Sequence, residues 1–206
     1  MNYLSLKTIL LREFFVVAPS IYDDHQSPSK KIRVRTDDDL WTIEPIPENL
    51  IDSPLDFIFA EHYRQRQAAS ILMLLADGHF DIDGVGALIT FLDEDFALHI
   101  GDEELALFPM LRQHCFPEDN VDRILARLVD EHREDEESVE TVTDILRQSV
   151  SSQSIHANGG RMLRKFAEHI RQHLALENGV LLPIARVRLA EQELGVLADL
   201  LKSRRF

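Results

Sequence analysis

Hydrophobic residues recur every three or four positions along most of the chain from Ser53 onward, and this spacing predicts amphipathic helices. The pattern predicts helix A from Ser53 to a stop at Gly78, helix B over about 83–111, and helix C beginning at Pro117. Residues 149–154 and 158–160 are predicted to connect helix C to helix D, and residues 189–201 to form a fifth, short helix.

Four long amphipathic helices with short connections predict an all-α fold, an antiparallel up-down four-helix bundle with a short C-terminal helix. The bundle with its C-terminal helix is expected to occupy residues 53–206. Residues 1–52 differ in pattern: residues 31–35 alternate like a short strand, residues 37–39 are all acidic, and prolines follow. We expect residues 1–52 to form an N-terminal extension that packs onto the main domain.

The composition excludes several classes of protein. The chain has 206 residues with 22 Lys and Arg against 36 Asp and Glu, a net charge of −14, which disfavours binding to nucleic acid or to an anionic membrane. Cys115 is the only cysteine, so an internal disulfide and a multi-cysteine metal site are excluded. With no apolar run near the ~20 residues of a spanning helix and no recognisable signal peptide, we expect a soluble cytoplasmic protein.

One histidine lies on the apolar stripe of each predicted helix, and two of the four have a glutamate one turn later. A single such histidine is usually an ordinary core residue, but one on each of four helices is difficult to explain by packing alone. An unpaired buried carboxylate costs several kcal/mol, whereas a cation would satisfy carboxylates and imidazoles together. These ligand types suit iron, zinc or manganese. The residues are His62, His99, Glu103, His132, His173 and Glu177.

The two His-x-x-x-Glu pairs belong to an internal repeat. His99 and His173 are each followed by a glutamate four residues later and a proline ten residues later, with an aliphatic run between them. Each pair is preceded by a helix that carries one further histidine. The doubled order predicts two helix pairs that face each other and hold two metal ions with bridging carboxylates between them.

This order of motifs, with Glu103-Glu104-Leu-Ala-Leu-Phe-Pro109 and Glu177-Asn178-Gly-Val-Leu-Leu-Pro183, resembles the hemerythrin-like, HHE cation-binding domains over roughly residues 54–187. The resemblance implies a non-haem di-iron centre in the core of the bundle. It implies Glu103 and Glu177 as the bridging carboxylates. The ligands that it implies are His62, His99, Glu103, His132, His173 and Glu177.

The chain departs from the family pattern in helix C. Oxygen-carrying hemerythrins have a second histidine one turn after the third-helix ligand, and here that position is Glu136. Glu136 is therefore a seventh candidate ligand, and a carboxylate there would favour oxygen activation or peroxide chemistry over simple oxygen carriage. Whether His79 or His169 also binds metal is left open by the sequence.

These residues support competing functions. The ligand set is complete, and no further group of residues in the sequence is suited to hold an organic substrate. This favours a protein that binds oxygen, nitric oxide or a related small oxidant over an enzyme. The alternatives are a di-iron oxidase or peroxidase, an iron–sulfur-centre repair protein and a structural zinc bundle. The expected cofactor is two non-haem iron ions, although residue chemistry alone leaves zinc and manganese open, and the expected partner is a small diatomic ligand or peroxide. The oligomeric state is left open.

Overall fold

The computed structural model describes residues 38–205, which belong to one unit of the chain, residues 35–206. The strand-like segment predicted at residues 31–35 lies outside the described residues. Within residues 38–205 the secondary structure is entirely helical, with no strand.

Five principal helices, labelled α1 to α5, make up the described part of the chain. Helix α1 is Pro54–Ala76, α3 is Val121–Ser152 and α5 is Glu191–Ser203. Helices α2 (residues 82–114) and α4 (residues 157–188) are continuous but interrupted by wider π-helical turns. Helix α2 consists of Ile82–Thr90, the π-turn Phe91–Asp95, Phe96–Asp102, the π-turn Glu103–Leu107 and Phe108–His114. Helix α4 consists of Ala157–Leu176, the π-turn Glu177–Leu181 and Leu182–Arg188.

The start of α4 differs from the sequence prediction. The predicted polar connection at residues 149–154 and 158–160 is wrong for residues 149–152, which belong to α3, and for residues 158–160, because α4 already begins at Ala157. His156 caps the helix, since its Nδ1 atom accepts a hydrogen bond of 3.1 Å from the backbone N–H of Gly159. The missing side chain of Gly159 allows α4 to approach α3, because a Cβ atom there would lie 3.1 Å from Cγ2 of Ile145.

The buried apolar side chains form two clusters. The first apolar cluster takes residues within 68–75 of α1, 85–100 of α2, 142–146 of α3 and 163–174 of α4. The second takes residues within 55–58 of α1, 106–111 of α2, 121–128 of α3 and 181–185 of α4, together with Leu197 and Leu201 of α5. Helices α1 and α3 therefore run from the second cluster to the first, and α2 and α4 run from the first to the second. The predicted ligands lie where each helix changes cluster.

Residues 38–52 pack against this helical core. Trp41 and Ile43 lie against the first apolar cluster, and Ile46 lies against the second. Helix α1 holds this segment by hydrogen bonds, since Arg64 Nε donates to the carbonyl oxygen of Glu44 at 2.7 Å. Among the described helices, none combines the length and the apolar character needed to cross a membrane.

Candidate metal centre

Six of the predicted ligands come together in the middle of the helical core. All six are buried, and the side chains with the largest exposed fraction are His99 at 3% and His173 at 4%. The set comprises His62 from α1, His99 and Glu103 from α2, His132 from α3, and His173 and Glu177 from α4.

The six side chains form two groups of four that share both glutamates. The first metal group is His62, His99, Glu103 and Glu177, and the second metal group is Glu103, His132, His173 and Glu177. Within each group one ligand atom from each residue lies within 4.8 Å of the other three. Two adjacent cations held in this way would be joined by both carboxylates.

The spacing between ligand atoms suits a transition metal ion. His132 Nε2 lies 3.2 Å from His173 Nε2, and His173 Nε2 lies 3.1 Å from Glu177 Oε1. His62 Nε2 lies 3.5 Å from Glu103 Oε1 and 3.4 Å from Glu177 Oε2. Neighbouring ligands at right angles around one ion, each bonded at about 2.1 Å, are separated by about 3 Å, so these positions need only small adjustments.

Both shared glutamates begin a π-helical turn. The N–H of Phe108 donates to the carbonyl oxygen of Glu103, five residues back, and the N–H of Leu182 donates in the same way to Glu177. The proline that follows each turn, Pro109 or Pro183, has no N–H and its ring would crowd the carbonyl oxygen four residues back. The wider turn accommodates the proline, so the repeat predicted from the sequence corresponds to a repeated backbone irregularity at the site.

Three of the four histidines have an acceptor on the ring nitrogen that faces away from the cluster. His132 Nδ1–H donates to Glu104 Oε1 at 2.8 Å, and His173 Nδ1–H donates to Glu131 Oε2 at 2.9 Å. His62 Nδ1–H donates to Asn178 Oδ1 at 2.8 Å. These contacts orient each ring with Nε2 toward the shared carboxylates, as metal-binding histidines require.

Further contacts fix the helices around the cluster. The His132 ring stacks on Phe108, with 5.8 Å between ring centroids and an interplanar angle of 7°. Asp102, directly before Glu103, is 1% exposed and binds Arg204 at 2.8 Å and Arg205 at 2.6 Å. The two arginines directly after α5 thereby hold the turn of α2 that leads into a shared glutamate.

Several ligand atoms of the cluster lack a hydrogen bond. Within the described part of the chain, both carboxylate oxygens of Glu103 and of Glu177, both ring nitrogens of His99 and Nε2 of His62 are buried without a hydrogen-bond partner. A buried polar atom without a partner is costly, and a carboxylate more so than a neutral group. Two bound cations, one in each metal group, would satisfy the carboxylate oxygens together, so the residues present fit a metal pair.

The cluster also perturbs the ionisation of its members. Burial opposes protonation of His173, but Glu177 and Glu131 outweigh it and raise the pKa of His173 to about 11. Burial and the surrounding histidines outweigh Glu103 and lower the pKa of His99 to about 3. Burial and the charge of Glu103 raise the pKa of Glu177, whereas the histidine contacts of Glu103 overcome burial and hold its pKa well below the usual value. The two carboxylates therefore resist being ionised together.

Comparison with known protein families agrees with this geometry. The model of the hemerythrin HHE cation-binding domain matches residues 53–185. The chain belongs to this family. A comparison with curated proteins gave no match.

In this hemerythrin-like chain the seventh candidate ligand, Glu136, lies away from the cluster. Its side chain is exposed, and it is in neither metal group. Asp135 is the residue of this turn that faces inward, at 2% exposure, and its Oδ1 atom lies 3.3 Å from His169 Nε2. Burial raises the pKa of Asp135 to about 6 despite the nearby His169. The structure therefore does not bring Glu136 together with the other six candidate ligands, and His169 is paired with Asp135 and lies in neither metal group.

For the outer acceptors of the hemerythrin-like site, the sequence suggests Glu104 as an acceptor for an imidazole N–H but favours an exposed position for it, and it favours a solvated helix face for Glu131. Glu131 and Glu104 lie beside predicted ligands and have the polarity of a solvated helix face, yet both reach a histidine on the next helix. The sequence signal that could have identified them as acceptors is their position, since each directly adjoins a predicted ligand at the edge of an apolar stripe. His79 is exposed and lies in neither metal group.

Proposed function

We propose that this hemerythrin-like domain binds two non-haem iron ions, one in each metal group, and that the ion pair binds or senses oxygen, nitric oxide or a related small oxidant. The observation that carries this proposal is the pair of buried four-residue groups that share Glu103 and Glu177. When bound, an iron pair supplies reversible ligand binding and redox chemistry that amino-acid side chains cannot provide.

The donor set supports a redox-active pair over a structural ion. Each metal group offers two imidazole nitrogens and two carboxylates, ligands that suit iron, manganese or zinc. Structural zinc sites are normally closed by four ligands of their own and often contain cysteine. Here the carboxylates are shared, and four ligands leave positions free on an octahedral ion. A small ligand can use those positions.

The surroundings favour a small ligand over an organic substrate. The cluster lies between two apolar clusters, and its six residues are nearly inaccessible to solvent. Two surface cavities of about 330 and 380 Å³ are lined by other residues, including Cys115 and Trp41 respectively. The protein residues therefore hold the ions, keep the rings oriented and exclude water, while a diatomic ligand or peroxide can enter by small side-chain movements.

The proposed site requires the four helices α1 to α4 to meet at one level of the core, and we propose that they do so in an antiparallel up-down arrangement. The alternating order in which the four helices contribute to the two apolar clusters supports that topology. In it, the single-histidine helices α1 and α3 and the His-x-x-x-Glu helices α2 and α4 supply ligands at the same level of the bundle.

The test is to purify the protein without added metal or chelator, quantify its metals and record its visible spectrum in air and after reduction. About two irons per chain and an absorption band that bleaches on reduction are expected. Reduced protein is then exposed to oxygen, nitric oxide or hydrogen peroxide. A stable spectral adduct supports a binding or sensing role, whereas sustained consumption of peroxide supports the oxidase or peroxidase alternative. A protein that carries only colourless zinc would contradict the redox function.

A further inference from the structure

The outer contacts of the four histidines divide unevenly between the two metal groups. In the second metal group, both histidines donate to a carboxylate, Glu104 or Glu131. In the first metal group, His62 donates to the neutral amide of Asn178, and His99 Nδ1 has no hydrogen-bond partner among residues 38–205. Since Glu103 and Glu177 belong to both groups, the histidines and their outer contacts distinguish the two ion positions.

A carboxylate on the far nitrogen strengthens a histidine as a ligand. It draws the Nδ1 proton toward itself, so more electron density resides on Nε2, and it adds negative charge close to the ion. A neutral amide orients the ring but gives a weaker effect, and an unpaired Nδ1–H gives none. The second metal group therefore combines two strengthened imidazoles, whereas the first has one weakly polarised ring and one unassisted ring.

The second metal group is also the more firmly held. Arg127 Nε donates to Glu131 Oε1 at 2.7 Å and fixes that carboxylate for its contact with His173. The stack of His132 on Phe108 fixes the other ring, and the two Nε2 atoms already lie 3.2 Å apart. This preorganisation reduces the rearrangement that binding requires.

We infer that the two ion positions are inequivalent, and that Glu104 and Glu131 are positioning residues that make the His132/His173 position the tighter one. This inference rests on the proposed function, namely that both groups bind metal. The tighter position fills first and retains its ion longest. It also favours the more highly charged ion, because its surroundings carry two additional carboxylates.

The test measures each position without a second ion beside it, because repulsion between neighbouring cations would also separate two binding steps. His99→Ala weakens the first group and leaves the second complete, while His132→Ala does the reverse. Each metal-free variant is titrated with Co(II), followed by its visible absorption and by calorimetry. The expected dissociation constant is about 10–100-fold lower for His99→Ala than for His132→Ala. Circular dichroism verifies that both variants are folded.

Charge-only variants of the outer residues test the cause in an otherwise intact cluster. Glu104→Gln together with Glu131→Gln should weaken the first Co(II) step of the full-length protein about 10–100-fold, while Asn178→Asp should strengthen the second step. Glu134→Gln, an exposed glutamate on the same helix as Glu131, is the matched control and should leave both steps unchanged.

Equal affinities in His99→Ala and His132→Ala, or the reverse order, would overturn the inequivalence while leaving the two-metal site intact. An unchanged first step in the Glu104→Gln, Glu131→Gln protein would overturn the role of the two carboxylates. A wild-type protein that binds no Co(II) would instead refute the proposed function itself, so the two failures are distinguishable.

Discussion

Glu177→Gln should stabilise the metal-free protein and at the same time abolish its metal binding. The carboxylate is fully buried and Glu103 lies in the same cluster; burial and Glu103 outweigh the nearby His173 and His62 and raise the pKa of Glu177. An ionised carboxylate in such a place costs several kcal/mol, and the isosteric amide removes the charge while still leaving polar atoms unpaired at a smaller cost. The expected gain at pH 7 is about 1–4 kcal/mol in the free energy of unfolding.

The pH dependence of this gain follows from the raised pKa of Glu177. The folded metal-free protein keeps the proton to higher pH than the unfolded chain, whose glutamates titrate near 4.5. The stability of the wild type therefore falls as pH rises from about 4.5 through the folded pKa, and glutamine does not share this loss. The advantage of Glu177→Gln should be absent below pH 4.5 and complete above the folded pKa.

The assay is urea unfolding of wild type and variant, with and without metal. At a slope of about 2 kcal/mol per molar urea, a gain of about 2 kcal/mol moves the metal-free midpoint upward by about 1 M. Metal should reverse the order, because two ions, each at 100 times its dissociation constant, stabilise only the wild type, by about 5.4 kcal/mol in total. Glu136→Gln, at an exposed position, should change the free energy of unfolding by no more than about 0.5 kcal/mol, with or without metal. A metal-free Glu177→Gln protein that is less stable than wild type at pH 7 would refute this reasoning.

Three further predictions concern protons and packing. Because the pKa of His173 is raised to about 11, this histidine carries a proton at pH 7, and binding of Zn(II) should release at least one proton per chain. Calorimetry in buffers of different ionisation heat measures this release. Binding without proton release would contradict a protonated His173. Asp135→Asn should raise the free energy of unfolding by about 1–3 kcal/mol at pH 7 but not at pH 4. The pKa of Asp135 in the folded protein is raised to about 6, so the wild type loses stability as pH rises through that value. An equal effect at both pH values would contradict this reasoning. Gly84→Ala should lower the free energy of unfolding by about 1–3 kcal/mol, because its Cβ would lie 2.7 Å from the Trp41 side chain. Gly86→Ala on the same helix meets nothing within 4 Å and should be neutral or stabilising. Equal unfolding midpoints for the two variants would count against the packing of Trp41 on α2.

The clustering of the six candidate side chains could be predicted from the sequence because helical periodicity is a local property. Residues four apart lie on the same helix face, so His99 with Glu103 and His173 with Glu177 had to point the same way. The apolar stripes around them fixed that face as the buried one. The pairing of the two groups through shared glutamates required only that four such helices face one core.

The position of Glu136 could not be decided in the same way. Residues three and four positions after His132 lie about 60° and 40° to either side of it around the helix, so Asp135 and Glu136 are nearly equivalent by periodicity. The neighbouring helix decides between them, because His169 of α4 lies beside Asp135. Glu136 is left facing solvent.

The contacts of the outer acceptors could not be decided from the sequence for a similar reason. Glu104 of α2 contacts a histidine of α3, and Glu131 of α3 contacts a histidine of α4. Such contacts depend on the rotation of one helix against another, which the pattern of a single helix does not specify. The helical start at Ala157 was missed because Asn and two glycines are typical of connections, whereas here Gly159 allows close helix packing.

The most direct test of the two-metal site is the metal content of matched variants, loaded with Fe(II) under anaerobic conditions and freed of excess metal by gel filtration. Elemental analysis should give two ions per chain for wild type and for Glu136→Gln, one for His99→Ala and one for His132→Ala. It should give none for Glu177→Gln, because that residue belongs to both groups. Two ions in Glu177→Gln, or one or none in the wild type, would contradict a metal pair joined by shared glutamates.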